Sequence, residues 1–319
     1  MASPKLLLLP GFGVGTFHYD DNVRELSKYC TTFSVDLLGQ GKSWPESDIL
    51  PEMQWRYSVE NWQDQIIHFI EEVIGCDVHL AGNSLGGFLA VMVASKRPDL
   101  VKSLILFNPA PFWGILPPSQ QLVWNGTLPA PKQILKFGSQ YFDMMRSPAT
   151  VNAMLSQVYH AKARVDAALI QNIIVSAKNC YGHEAFTSIL FSPKSALPFE
   201  DMLAMIYCPV CQINGREDPW ITPFWSQRIK RILPLSYLIE LSPCGHCPHH
   251  ECPEIVNNLI IEWIESCDEL SNAAYSRFLR RCEDISNDVK CEVVDGTPRN
   301  FVECFGEALH RLQFTLGSR

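Results

Sequence analysis

No stretch of the 319-residue chain approaches the roughly 18–20 uninterrupted apolar residues that a membrane-spanning helix needs. The one apolar run near the start, Leu6 to Leu9, is too short for a signal-peptide core and runs straight into a glycine turn with no cleavage pattern. A Ser/Arg-rich, acid-poor transit segment is missing as well, so the expectation is a cytosolic protein or a chain that begins after a removed leader. Basic charge is scarce: 26 Lys and Arg stand against 34 Asp and Glu, for a net charge of −8. That balance repels phosphate backbones and disfavours a nucleic-acid partner. Internal repeats and low-complexity tracts are lacking too, which excludes a solenoid.

What is there is an ordinary globular composition, 47% hydrophobic and 19% charged. Twelve cysteines in 319 residues fall far short of a small disulfide scaffold. Several, such as Cys76, Cys208, Cys211 and Cys267, lie in expected strands or helices, where a thiol behaves as a small apolar group.

Strand and helix signals alternate, which predicts a mostly parallel sheet. Strands are expected at Lys5–Leu9, Thr32–Asp36, Asp77–Ala81, Val101–Phe107, Pro209–Asn214 and Ser236–Leu241. Helices are expected at Phe17–Tyr29, after Ser58 as N-cap with Gly75 ending the segment, after Gly87, at Pro223–Ile232 and at Pro253–Cys267. Between them, 112–203 shows helical patches, prolines and no convincing strand. The reading is a core of 1–111 and 204–267, a helical cap of 112–203, and a C-terminal extension, 268–319, that carries Cys282, Cys291, Cys304 and no recognisable motif.

The sharpest chemical signal is G-N-S-L-G-G at Gly82–Gly87, a G-x-S-x-G placed between an expected strand and an expected helix. That context is the nucleophile elbow of the α/β-hydrolase fold, with Ser84 at its tip; an ordinary serine in a glycine-rich turn is the bland alternative. A serine hydroxyl needs a base. His246, in S-P-C-G-H-C-P-H-H between the last strand and the last helix, is placed to return over the carboxyl edge of the sheet, with His249 and His250 as rivals. The orienting carboxylate is Asp218 in N-G-R-E-D-P-W, with Glu217 as competitor. The chain order Ser84, Asp218, His246 is the one this architecture uses. Oxyanion donors are expected from the amides of Leu85 and Phe12.

Other features are weaker. Asp36 reads as a loop organiser. The crowded Cys244, His246, Cys247, His249, His250 and Cys252 cannot all converge on one tetrahedral ion, so no metal is expected, and Cys208-x-x-Cys211 contains Pro209 at a strand entry. No cofactor is required. Aromatics gather at Phe112, Trp113, Trp124, Phe137, Tyr141, Phe142, Trp220, Phe224 and Trp225; cap packing is one reading, an apolar pocket over the serine formed by Phe112, Trp113, Trp220, Phe224 and Trp225 the other.

The segments L-P-G-F-G-V-G-T-F-H-Y, V-D-L-L-G-Q-G-K-S-W-P, A-G-N-S-L-G-G, N-P-A-P-F-W-G, G-R-E-D-P-W-I-T-P-F-W and S-P-C-G-H-C-P-H-H-E-C-P-E resemble the pheophytinases, chlorophyll-breakdown hydrolases of plants and algae, to which some algal chlorophyllases are similar. The resemblance runs from about Leu6 to Ile264. It implies a plastid enzyme that cleaves the phytyl ester of a chlorophyll-type pigment, with Ser84, Asp218 and His246 as its triad and peripheral membrane contact to reach the pigment. Those relatives carry a transit peptide and an initial hairpin before the first strand seen here, and the extension from 268 has no counterpart in them. The rivals are chlorophyllase action on magnesium-bearing pigment, another lipid or small-ester hydrolase or acyltransferase, and a binding module that kept the fold. Epoxide hydrolases and dehalogenases of this fold need aspartate at position 84.

Overall fold

The computed structural model describes residues 3–44, 55–113, 124–269 and 289–294. Seven strands form one sheet: β1 (Lys5–Leu9), β2 (Thr31–Ser34), β3 (Val78–Asn83), β4 (Val101–Phe107), β5 (Val210–Gly215), β6 (Tyr237–Ser242) and β7 (Lys290–Val294). Their order is β2-β1-β3-β4-β5-β6-β7; the first six run parallel and β7 pairs antiparallel with β6.

Parallel strands need both faces covered, and the sequence supplies continuous apolar runs for that purpose. In β1, Leu7 and Leu9 face one layer while Leu6 and Leu8 face the other, the period of two that a pleated strand imposes. On the first face lie α2 (Val59–Phe69) and α3 (Leu85–Lys96), with Trp62 and Phe88 buried there. On the second lie α1 (Asp20–Leu26) and α11 (Pro253–Glu269), with Trp263 fully buried and its indole N–H donating to Ser103 Oγ at 3.1 Å. Each such ring withdraws enough apolar surface to contribute roughly 1.5–3 kcal/mol.

Local signals set the ends of these elements. The Ser58 side chain accepts from Asn61 N–H at the start of α2, and Gly75 closes the following π-helical turn at φ 74°, a conformation glycine adopts without strain. The expected helix 17–29 is split into a 3-10 turn at Thr16–Tyr19 and the shorter α1, because His18 and Tyr19 both turn inward. β2 stops at Ser34 and leaves Asp36 in the loop.

Between β4 and β5 the described residues contain an isolated bridge from Leu128 to Trp55 and then the helices α4 (Lys132–Met145), α5 (Pro148–Val158), α6 (Ala167–Ser176), α7 (Gly182–Phe191) and α8 (Phe199–Ala204). α4 and α7 approach closely at Gly138, where a methyl group would sit 2.1 Å from Thr187 Oγ1. After β5 come α9 (Pro223–Ile232) and the short α10 (Pro248–Glu251). The C-terminal extension gives the sheet β7; Cys282 and Cys304 lie outside the described residues.

Candidate active site

The turn from β3 to α3 carries Ser84 at φ 53° and ψ −115°, a strained conformation for a residue with a side chain. Its neighbours make the turn affordable. A methyl at Gly86 would lie 2.1 Å from Leu9 O, and one at Gly82 would lie 2.3 Å from Gly86, so strand and helix meet only because both lack side chains. Ser84 N–H donates to Phe107 O and Ala110 N–H donates to Ser84 O, both at 3.0 Å, which fastens the turn to the end of β4.

His246 follows β6, and Asp218 follows β5. They meet at 2.5 Å through imidazole Nδ1 and carboxylate Oδ2, with His246 5% and Asp218 3% exposed. Asp218 is held in turn: its Oδ1 accepts Trp220 N–H at 2.8 Å, and its Oδ2 accepts the side-chain amide of Asn108 at 2.8 Å. Asn83, just before Ser84, donates its amide to His246 O at 2.9 Å, and Cys247 Sγ lies 3.8 Å from Asn83 Oδ1. The imidazole loop is therefore tied directly to the elbow. Trp220 sets its ring edge-on to His246 at 5.4 Å.

Glu217, the neighbour of Asp218, is exposed and turned away; it accepts from Ser242 Oγ at 2.6 Å and Cys244 N–H at 2.7 Å, and so braces the loop that carries His246. His249 and His250 point into a separate cluster with His18 and Tyr159. Burial holds the imidazoles of His18 and His249 well below their ordinary range and pushes His250 down to about 4, with Arg164 adding to the last effect. The crowded cysteine and histidine group thus disperses: Cys244 to Cys252 at 3.7 Å, Cys247 to Asn83, His246 to Asp218 and His249 to His18.

The turn after β1 packs against the elbow, with a methyl at Gly11 placed 3.5 Å from Ser84 Cβ. Gly13 N–H is taken by Gln40 Oε1 at 2.7 Å, and Asp36 accepts Thr16 N–H at 2.6 Å and Lys42 N–H at 2.9 Å, so Asp36 does organise this loop. Among the described residues the amides of Phe12 and Leu85 have no protein acceptor.

Of the five aromatics expected to form a pocket, Trp113 packs on Phe12 at 5.0 Å and Trp220 on His246. Phe112 is exposed beneath Lys194, and Phe224 and Trp225 pack on each other along α9. A cleft of about 60 Å³ opens between the β1 and β2 loops and the helical insert, lined by Phe12, Gly13, Gln40, Trp44, Phe142 and Phe186 among others. The bracing roles of Asn83 and Asn108 were invisible in the sequence; the only local hint was Asn before Pro at the end of a buried strand.

Comparison with known proteins places this geometry. Residues 6–259 match the model of the alpha/beta hydrolase family. The chain is 34% identical to a chloroplastic pheophytinase of Arabidopsis thaliana over 82% of its own length, and it spans about three fifths (61%) of that relative. It is 25% identical to Lipase 1 of Psychrobacter immobilis, covering 78% of this chain and 73% of the other. A thermophilic esterase of Thermogutta terrifontis superposes with a TM-score of 0.62 at 20% identity, over 83% of this chain and 91% of that one. At that identity the likeness concerns the fold alone. With a matching family model over most of its length, a seven-stranded and largely parallel sheet, and a serine elbow at the carboxyl end of β3, the chain belongs to the alpha/beta hydrolase family.

Proposed function

We propose that the protein is a serine hydrolase that cleaves the phytyl ester of a chlorophyll-type pigment, releasing phytol and the pigment acid. The observation that carries the hydrolytic part is the 2.5 Å contact between Asp218 and His246 Nδ1 in a loop tied by Asn83 to the Ser84 elbow. A carboxylate on Nδ1 fixes the tautomer with Nε2 as proton acceptor and supports the imidazolium that forms. Ser84 Oγ gives its proton to Nε2 while attacking the ester carbonyl. The tetrahedral oxyanion is held by the N–H groups of Phe12 and Leu85. Collapse expels the alcohol with the proton returned from His246, and water, activated by the same imidazole, frees the acid from Ser84.

The pigment part rests on the similarity to the chloroplastic pheophytinase, which also supports a plastid location. No helix among the described residues is long and apolar enough to cross a membrane, and the proposal has the protein reach its pigment by peripheral contact. A second reading, a lipid or small-ester carboxylesterase, is favoured by the similarity to the Psychrobacter lipase. A panel of pheophytin, chlorophyll and lipid esters, followed by chromatography of released alcohol, separates these readings. Phytol release from pheophytin is expected for the wild type and a fall of at least about 10³-fold in Ser84→Ala. Turnover retained by Ser84→Ala sinks the triad, and release only from lipid esters sinks the pigment.

A further inference from the structure

Two thiols flank the loop that carries His246 and take no part in the proposed mechanism. Cys244 lies two residues before His246 and is fully buried on the second face of the sheet. Cys252 follows α10, is partly buried, and packs against the same cluster. Their Sγ atoms are 3.7 Å apart, with the Cys252 S–H donating to Cys244. A disulfide needs about 2.05 Å, so the two sulfurs close by roughly 1.7 Å when they bond.

Their surroundings divide the work of thiol–disulfide exchange between them. The thiolate is the species that attacks a disulfide. The S–H of Cys244 holds the Cys252 thiol below its ordinary range, against the opposing effects of burial and Glu251. Cys252 also stands one residue before α11, whose first turn bonds Val256 N–H to Cys252 O at 3.0 Å, and a helix start favours a negative sulfur. Cys244 is the opposite: its hydrogen bond with Cys252, then burial, pushes its thiol well up, so it keeps its proton. Cys247 lies between the two in the chain, but burial pushes that thiol up as well, and its sulfur faces Asn83 Oδ1 at 3.8 Å.

We propose that Cys244 and Cys252 form a reversible disulfide that staples the loop carrying His246 without displacing the imidazole. The oxidant is the disulfide of a small thiol. The Cys252 thiolate attacks one of its sulfurs, and the first equivalent of small thiol leaves as the thiolate. The Cys244 sulfur then attacks that of Cys252, and its proton passes to the second departing thiol. The protein loses two electrons, and the reagent gains them as two thiols. The motion falls at the Cys252 end. Cys244 is fixed at both backbone groups: its N–H donates to Glu217 Oε2 at 2.7 Å, and its O accepts Glu217 N–H at 2.9 Å. His246 has anchors of its own, with its N–H on Val158 O at 2.9 Å, its O on the Asn83 amide at 2.9 Å, and Nδ1 on Asp218. The closed ring spans residues 244–252, and constraining so short a loop in the unfolded chain raises the melting temperature by about 3–6 °C.

The test reads bonding and stability first. The wild-type chain is equilibrated with oxidised and reduced glutathione in varied ratio and trapped with iodoacetamide, and its proteolytic peptides are mapped by mass spectrometry. A Cys244–Cys252 link that disappears in excess reduced glutathione is expected, with the higher melting temperature in the oxidised form. Cys252→Ser should abolish both, and Cys244→Ala, an apolar replacement in an apolar cluster, gives the same loss should the first variant fold poorly. Replacing the exposed Cys76 and Cys180 together by serine should preserve both. With His246 unmoved, kcat for a p-nitrophenyl ester stays within about threefold across the two forms, whereas a displacement of about 1 Å costs on the order of 10²-fold. Glutathione adducts alone, a link from Cys252 to another cysteine, an oxidised form that melts no higher, or a loss of kcat beyond about tenfold on oxidation overturns the proposal. A chain that forms the link but hydrolyses no ester in either state counts against the hydrolytic reading alone.

Discussion

His246 and His249 stand three residues apart, and both are almost wholly withdrawn from water, yet their surroundings give them opposite chemistry. His246 meets a carboxylate at 2.5 Å, and that carboxylate is held by Asn108 and by Trp220 N–H. His249 meets another imidazole, His18, at 3.2 Å; its Nδ1 has no partner, and the rings of Tyr19 and Phe107 pack against it at 4.3 and 5.5 Å. Burial disfavours the charged form of His249. In the mechanism proposed above, a negative partner lets His246 carry a proton during the reaction, while His249 is kept neutral as a packing element. The lesson is that burial locates a histidine but its hydrogen-bond partner assigns its work.

The comparison breaks most sharply at the carboxylate. Asp218→Asn preserves volume and leaves Asn108 and Trp220 with a neighbour, but it removes the charge that supports the imidazolium and lets the tautomer reverse. A loss of roughly 10³–10⁴-fold in kcat is expected with the fold intact by circular dichroism. Activity within tenfold of wild type would mean that the close contact is structural. The next effect is at Asn108, which stands at φ 40° after β4, is fully buried, and links Asp218 to Gly215 N–H through the two ends of its side-chain amide. Asn108→Ala leaves buried partners unpaired, worth about 1–3 kcal/mol, and should lower kcat about 10- to 100-fold. A positioning role further requires the pH dependence of kcat/KM to move; a variant that loses stability with an unchanged profile would reduce Asn108 to scaffolding.

These two residues also mark where reading the sequence stops. The elbow was legible because its requirements are local: Gly82, Ser84 and Gly86 sit at fixed spacing between an apolar run and a helix. The Ser58 cap, the Gly75 stop and the helix Pro223–Ile232 were legible for the same reason. Asn108 was not, because its work is defined by Asp218, Asn214 and Gly215, more than a hundred residues away along the chain. Nor was β7: Lys290 to Val294 is a short, half-exposed edge strand in a charged tail, and only its pairing with β6 identifies it. The pairing of Trp113 with Phe12 and of Phe224 with Trp225 along α9 was not legible either, because such stacking is a tertiary outcome that composition does not encode.

The smallest effect sharpens the other half of the comparison. His249→Phe keeps a ring against Tyr19 and Phe107 and removes the contact with His18, so kcat should stay within about threefold, and stability near neutral pH should fall by about 1 kcal/mol. The pH dependence is the more informative measurement. Burial, with the charges of His250 and His246 adding to it, holds His18 and His249 well below the ordinary imidazole range, and burial with Arg164 brings His250 to about 4. In the unfolded chain all three titrate near 6.5. Below that value the unfolded state binds protons that the folded state refuses, so stability is full above about pH 6.5 and drains away as pH falls toward 4. His249→Phe removes one of those refusals. Its melting temperature should therefore fall less steeply than that of the wild type between pH 6.5 and 4.5, narrowing the gap at neutral pH as acid is added. Parallel slopes for the two proteins would show that His249 does not resist protonation in the fold, and with that the contrast with His246 would lose its physical basis.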